Sequence, residues 1–441
     1  MSLLEKVKEL YWNNFFMEDE LKEEIFYKIR GFVRGKKTYK TNIDVLEDYI
    51  HGIIESQKLN ILSFRDFPAR SLVSLNNNDP KLIAYYLPQF YPNTYNDDWW
   101  GKGFTEWTNT TKAVPQYLGQ YQPRLPGELG FYDLRIQNNI YRQIELAKIY
   151  GIYGFCFYYY WFDGLRLLDL PLSNYVEDKH IDFPFFICWI NESWTKQWSG
   201  ASCTILIEHK RTVDSYKKFI YSCIDLFSRK NYITINGKIV LNVYRPNNIP
   251  NIKYVIKYWR EYVENKLGKE LYLIATIGHH DEYRNNYIES GFDAISEFSP
   301  GPHWGLMNDI TMDKQYLCEE FLGKVYDYRD FVINKKYFTY KNKKLYRAIC
   351  PMWDNTARKM NKGLILDGAT PDLYKQWLKD IIVETRENNN LDEKLIFINA
   401  WNEWAEGAYL EPDLKWKYGY LEATKDAILQ AREMNLEDIK I

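Results

Sequence analysis

Cysteine is scarce, long apolar runs are missing, and neither sign of charge dominates. Six cysteines stand in 441 residues, at 156, 188, 203, 223, 318 and 350. They form no CxxC pair and no zinc spacing, which argues against a disulfide scaffold or a zinc module. Cys156, Cys188 and Cys350 sit inside apolar runs and read as small buried hydrophobes, reduced thiols of a cytoplasmic protein. No stretch of about 18 apolar residues occurs, so no transmembrane helix is expected. Met1 leads into charged sequence rather than the apolar centre of a secretory leader. A formal net charge of -2 leaves no basic excess for nucleic acid. There is no P-loop, and Gly101-Lys102-Gly103 meets Glu106 where a dinucleotide fingerprint needs its third glycine. No Asp-x-Asp marks a metal-bridged nucleotide-sugar site. His279-His280-Asp281-Glu282 lacks HExxH spacing, so no metal and no other cofactor is expected, although one of these histidines can serve a substrate hydroxyl.

What the chain has in excess is aromatic surface: 17% of residues, with 38 Tyr and 15 Trp. Flat rings suit the apolar C–H faces of sugars, or they simply fill a large core; their placement along the chain decides.

Residues 1–79 differ from the rest. Apolar side chains recur at helical spacing (Leu3, Val7, Leu10; Leu21, Ile25, Ile29; Ile43, Leu46, Ile50). A basic stretch runs from Lys28 to Lys40 without an acid, which is either an ordinary solvated face or a surface for an anionic membrane. Asn76-Asn77-Asn78-Asp79-Pro80 punctuates the boundary. From residue 80 to 441, apolar runs alternate with helical stretches: 82–87, 153–158, 184–190, 239–244, 271–277, 293–297, 347–352 and 394–399. About eight such units predict an α/β fold, a closed (β/α)8 TIM barrel with long βα loops, behind a small helical N-terminal extension at 1–79.

The residues that follow each run are the informative ones. Trp99, Trp100, Glu106 and Trp107 follow the first; Tyr159 and Trp161 close the second; Trp189, Asn191, Glu192, Trp194 and Trp198 end the third; Glu297 ends the sixth; Trp353 and Asp354 follow the seventh. Indoles, carboxylates and amides gather where strands end, and the βα loops of a barrel converge on one mouth. The segment 88–135 is too long for an ordinary connection and is expected to fold over that mouth as part of a cleft. Arg124, Arg135 and Arg358 are positioned to meet an anionic group or to serve structural ion pairs.

The last run leads into Asn402-Glu403-Trp404-Ala405-Glu406-Gly407. Two glutamates three apart on a helical turn share one face, and two adjacent carboxyls cannot both ionise freely, so one pKa should rise. One proton-holding acid beside one ionised base is what glycosidic-bond chemistry requires. The plainer reading is a helix start with Asn402 as N-cap.

Residues 81–427 resemble the WbsX-like family of polysaccharide-biosynthesis proteins, related to glycoside hydrolase family 99, the endo-α-mannosidase family. The resemblance rests on LPQFYP (87–92), DDWWGKGFTEWTN (97–109), YQPRLPGELGFYDLR (121–135), GFCFYYYWF (154–162), CWINESWT (188–195), PMWDNTAR (351–358), TPDLYKQWL (370–378) and FINAWNEWAEGAYLEPD (397–413). It implies a (β/α)8 fold and work on bacterial surface glycans such as O-antigen, lipopolysaccharide or capsule. The family 99 motif Asn-Glu-Trp-x-Glu matches Asn402, Glu403, Trp404 and Glu406. On that match Glu406 is the general acid/base, and Glu403 assists through the substrate's own 2-hydroxyl.

The expectation is a carbohydrate-active enzyme that cleaves or transfers a glycosyl unit, with Glu403 and Glu406 catalytic. Trp99, Trp100, Glu106, Trp107, Tyr159, Trp161, Trp189, Asn191, Glu192, Trp194, Trp353, Asp354, Asn402 and Trp404 form the substrate-binding set. The partner is an oligo- or polysaccharide, lipid-linked if segment 28–40 meets a membrane from the cytoplasm. Two other classes stay open: a non-catalytic glycan-binding barrel, and a nucleotide-sugar glycosyltransferase.

Overall fold

The structure, a computed structural model, describes residues 71–196, 204–278, 287–318 and 320–439. The helices expected in 1–70, the basic segment 28–40, Trp198 and the cluster 279–282 lie outside the described residues. Residues 71–79 carry no helix and are pinned to the barrel: Val73 N–H donates to the Ile149 carbonyl (3.2 Å), and Asp79 pairs with Arg432 (2.7 Å).

Eight strands form the barrel: β1 (Lys81–Tyr86), β2 (Ile152–Phe162), β3 (Phe185–Trp189), β4 (Lys238–Val243), β5 (Leu271–Ile277), β6 (Ala294–Glu297), β7 in two pieces (Leu345–Tyr346 and Ala348–Ile349) and β8 (Leu395–Ile398). All neighbours pair in parallel, and β8 returns beside β1. The sheet closes at β7: its first piece bonds β6 and its second bonds β8. Arg347, the residue between the pieces, bonds Glu297 at the end of β6 (3.1 Å) and Glu384 on the outer helix Pro371–Glu387 (2.7 Å). The expected runs are thus the strands. Glu297, a candidate for the mouth, is instead spent on closing the wall, its second oxygen accepting the Ala348 N–H (3.0 Å).

Side chains alternate between the barrel lumen and the helix layer, as the two-residue period of a strand dictates. Inside, a polar thread crosses the barrel from Tyr85 to Asn242 (3.1 Å) and on to Thr276 (2.6 Å). Outside, Trp189 stacks flat on Phe219 of the helix Val213–Phe227, ring centroids 3.6 Å apart at 9°. Burying such large rings is what welds the helices to the sheet.

Segment 88–135 leaves β1, forms the helices Thr94–Trp100 and Glu106–Thr111, and returns along the chain after β8, where Gly127 N–H donates to the Pro412 carbonyl (2.7 Å). A second, small sheet stands at the same end, made of Lys324–Asp327, Leu364–Asp367 and Trp353–Asp354.

Candidate active site

The stretch after β8 is a tight hairpin rather than an α-helix. Asn402-Glu403 pairs antiparallel with Ala408-Tyr409, a single 3-10 turn spans Trp404–Glu406, and Gly407 closes it at φ +59°. Residues three apart eclipse one another on a 3-10 turn, so Glu403 and Glu406 emerge side by side.

Both carboxylates bind one guanidinium. Arg358 Nη2 lies 2.9 Å from Glu403 Oε2, Nη1 lies 2.5 Å from Glu406 Oε1, and Nε lies 2.7 Å from Glu106 Oε1. Arg358 comes from the short helix after β7, Glu106 from the long β1 loop, and the glutamate pair from the β8 loop. Three loops of the barrel mouth therefore meet at one buried cation. With every group ionised the cluster carries three negative charges against one positive.

That imbalance appears in the titration behaviour. Burial first, then Glu406 and Glu106, push the Glu403 carboxyl up to about 8, although Arg358 opposes the shift. Glu406 is also raised, by burial and by Glu106, against the pull of Arg358. Arg358 is held well above the ordinary arginine value: burial disfavours its charge, and Glu106, Glu406 and Glu403 outweigh burial. The cluster thus retains a shared proton at neutral pH, the condition for one acid to donate while its neighbour accepts. Glu406 is the most exposed of the three acids, with 21% of its side chain accessible against 5% for Glu403 and 1% for Glu106.

A folded-state pKa raised above the unfolded value means that the native protein holds the extra proton in between. Stability should therefore fall as pH rises from about 4.5 to about 8, the window set by Glu403. Melting temperatures taken across that window should decline in the wild type and decline less in Glu403→Gln. Equal slopes would remove Glu403 as the titrating group.

An open cleft enclosing ≈ 520 Å3, mouth included, lies over this cluster. Its walls are Trp100, Phe104 and Trp194, and its polar lining is Gln89, Glu106, Thr108, Asn109, Lys112 and Arg358. Trp99 packs against Trp194 (5.6 Å), and Tyr160 stands behind Trp194 (5.0 Å). Tyr160 faces the acids: burial first and then Glu403 raise its phenol well above the ordinary value.

Several candidates lie elsewhere. Tyr159 and Trp161 point out of β2 into the helix layer against Phe219, and Trp189 does the same from β3, so none of the three reaches the cleft. The inward neighbours Tyr158 and Tyr160 occupy the lumen side instead. Trp107 is buried, its indole N–H on the Tyr132 carbonyl (2.9 Å), and it packs against Trp404 (5.4 Å). Trp404 stacks on Tyr409 (3.8 Å) and donates to Glu411 (2.6 Å). Glu411 is buried and also receives Gln143 (2.6 Å) and Tyr132 (3.0 Å). Trp404 is therefore an anchor of the hairpin and presents no open face. Asn402 latches β8 to β1, accepting the Leu87 N–H (2.7 Å) and donating to the Leu87 carbonyl (3.0 Å). Asn191 clamps Arg245 through its main chain (2.7 and 2.8 Å), and Glu192 binds the Arg245 side chain (2.7 Å). Trp353 packs edge-on to Trp304, and Asp354 holds Gln120 (2.9 Å) and the Thr356 N–H (3.0 Å). Arg135 pairs locally with Asp133 at the surface. Of the sequence candidates, Glu106, Trp100, Trp194 and Arg358 line the cleft, Trp99 joins them through its ring contact, and Glu403 and Glu406 adjoin it through Arg358.

Gln89, Phe104, Asn109 and Lys112 were not singled out by their sequence context. Gln89 follows β1 directly, so its position was the available signal; its buried Oε1 has no partner among the described residues.

The WbsX glycosyltransferase family model matches residues 82–424. The chain belongs to that family. Two relatives described as uncharacterized protein WxcX, from two strains of Xanthomonas campestris pv. campestris, are each 37% identical over 356 residues. The match covers 81% of this chain and half the length of those relatives. Among solved structures, the GH99 endo-alpha-mannosidase of Bacteroides thetaiotaomicron shares the barrel fold, with a TM-score of 0.50, 14% identity, and coverage of 82% of this chain and 98% of that one. WbsX membership supports a carbohydrate-active enzyme, and the GH99 likeness shows the barrel fold.

Proposed function

We propose that the protein cleaves or transfers a glycosyl unit during assembly of a bacterial surface polysaccharide, with Glu406 as proton donor and acceptor. The observation that carries this reading is the Glu106–Glu403–Glu406 cluster on Arg358, set under an aromatic-walled cleft at the C-terminal end of the barrel strands. A sugar ring lies against Trp100 or Trp194, and the glycosidic oxygen takes its proton from Glu406, the exposed acid of the cluster. Glu403 and Glu406 hang from the two terminal nitrogens of one guanidinium. The resemblance to family 99 implies that Glu403 assists through the substrate's own 2-hydroxyl. Gln89, with its open acceptor, and Asn109 take further hydroxyls.

A second reading, glycan binding without turnover, draws on the same ion cluster, since Arg358 engages every acid in it. Incubating the protein with surface oligosaccharides in 18O-labelled water separates the outcomes. New reducing ends carrying 18O mean hydrolysis, elongated products without 18O mean transfer, and unchanged glycan that nonetheless binds means the second reading. For the nucleotide-sugar alternative, titration with uridine and guanosine diphosphates is the check, and failure of both to bind removes it. The glycan is lipid-linked in this proposal and is met at the cytoplasmic membrane face through segment 28–40. Co-sedimentation with anionic vesicles, lost when Lys36, Lys37 and Lys40 are changed to Gln, tests that part.

A further inference from the structure

A second cavity stands behind the catalytic hairpin and plays no part in the chemistry above. It encloses ≈ 800 Å3, mouth included, between the 117–124 segment, the end of strand Leu364–Asp367 and the Lys415-Trp416 turn. Gly407 separates it from the acids: a Cβ placed there would lie 2.9 Å from Arg124 Nε.

Two cations, Arg124 and Lys415, line the cavity together with the carboxylates Asp354 and Asp367. Arg124 lines it and is more than nine-tenths buried, yet its Nε has no hydrogen-bond partner. Nη1 rests on the Met352 thioether (2.8 Å), Nη2 makes a long ion pair with Asp354 (3.9 Å), and the Tyr409 side chain also meets the guanidinium. A guanidinium offers five donors in a fixed fork, and leaving them unmade in a buried site is costly. Lys415 supplies a second charge. The Tyr121 ring stands next to both, 5.2 Å from the guanidinium carbon and 4.6 Å from Lys415 Nζ, with the Trp416 ring 5.0 Å from the same ammonium. Asp413 and Asp367 act on Lys415 across the cavity. Burial first, then the neighbouring Arg124, hold its ammonium below the ordinary lysine value. The third contribution is the helix Pro371–Glu387, whose N-cap Thr370 and preceding Gly368 and Ala369 form part of the wall. The positive end of a helix dipole favours an anion there.

Two acids line the same cavity, Asp354 and Asp367, and both hold other donors. Asp367 takes Lys314 (2.7 Å) and the Tyr117 hydroxyl (2.9 Å), and Asp354 takes Gln120 and Thr356. Asp413, beyond Tyr121, accepts the Tyr409 hydroxyl (2.7 Å).

We propose that this cavity binds an oxyanion, a carboxylate or a phosphate, carried on a sugar ring. The fork of Arg124 and the ammonium of Lys415 take the charge, as such groups do for carboxylate and phosphate alike, while Tyr121 and Trp416 offer ring faces beside it. The sugar half of this inference rests on the carbohydrate reading above. The anion half rests on Arg124, whose Nε has no hydrogen-bond partner, and on Lys415 beside it, and it names the substrate class: a glycan with an acidic or phosphorylated unit near the reacting one.

Calorimetric titration of the full chain bearing Glu406→Gln, so that turnover cannot intervene, tests it with methyl glucuronide, glucose 1-phosphate and neutral methyl glucoside. One or both charged sugars should bind at least roughly tenfold more tightly than methyl glucoside, and the better of the two tells carboxylate from phosphate. Lys415→Gln, at a half-exposed position, should remove roughly that tenfold advantage. Arg124→Gln should remove it too, provided the variant melts as the parent does. Equal affinity for charged and neutral sugars, no binding of either charged sugar, or charged-sugar binding untouched by Lys415→Gln would overturn the proposal. None of these results depends on turnover, so they leave the catalytic reading to its own test.

Discussion

Glu406→Gln should lower turnover by roughly 10²–10⁴-fold, the span that a positioned proton donor or acceptor contributes, while glycan affinity stays near that of wild type. The amide keeps the shape of the carboxyl and part of its contact with Arg358, but it neither gives nor takes a proton at the glycosidic oxygen. Its effect on folding separates this loss from simple damage. Three carboxylates share one guanidinium, and burial first, then their mutual repulsion, raise the pKa of Glu403 and Glu406. Removing one negative charge relieves that repulsion, so the variant should melt at or above the wild-type temperature at pH 8. A variant that loses activity and stability together would mean that Glu406 serves the fold. One that retains full turnover on the glycan converted by wild type would remove it from the mechanism.

Arg358→Met should have the opposite signature. The side chain is 4% exposed and is the direct countercharge to all three acids. Taking away one partner of a buried ion pair leaves the rest uncompensated, at a cost of about 3–5 kcal/mol. The acids can lower that cost by taking up protons, so the loss should be largest at pH 8 and smaller at pH 5. The sign follows from linkage: without the guanidinium the folded-state carboxyl pKa values rise further, the native protein binds more protons than the unfolded chain, and acid restores stability. Urea melts at the two pH values read this directly. A loss of the same size at both would mean that Arg358 contributes packing rather than charge. Turnover should fall as well, because Arg358 is the ion-pair partner that Glu106, Glu403 and Glu406 share.

The contrast between these two variants shows why the site was only half legible in the sequence. Strands announced themselves because their interiors are uninterrupted apolar runs, the mark of a parallel sheet covered on both faces. The last run therefore led to Glu403 and Glu406 at the mouth. Within a strand, however, neighbouring residues face opposite ways. Tyr159 and Trp161 share the aromatic stretch of β2 with Tyr158 and Tyr160, and only the register decides that the first two pack on Phe219 while Tyr160 looks toward Glu403. Composition cannot see that phase. Trp107 and Trp404 mislead for another reason: a mouth built from long loops needs its own core, and indoles supply it, each with its N–H satisfied by a buried acceptor. Asn402 belongs to the same class, holding Leu87 rather than ligand. The role of Arg358 was hidden because its partners stand 252, 45 and 48 positions away in sequence. An arginine after a strand reads equally well as a ligand for a foreign anion and as a counter-ion for the protein's own acids. Here the acids are the protein's own.

The most direct test is a crystal structure of Glu406→Gln soaked with the oligosaccharide that wild type converts. A sugar should lie in the cleft against Trp100 or Trp194, with its glycosidic oxygen within about 2.6–3.2 Å of the residue 406 amide. A glycan seated elsewhere on the molecule, or one whose linkage oxygen turns away from residue 406, would contradict a catalytic role for this cluster.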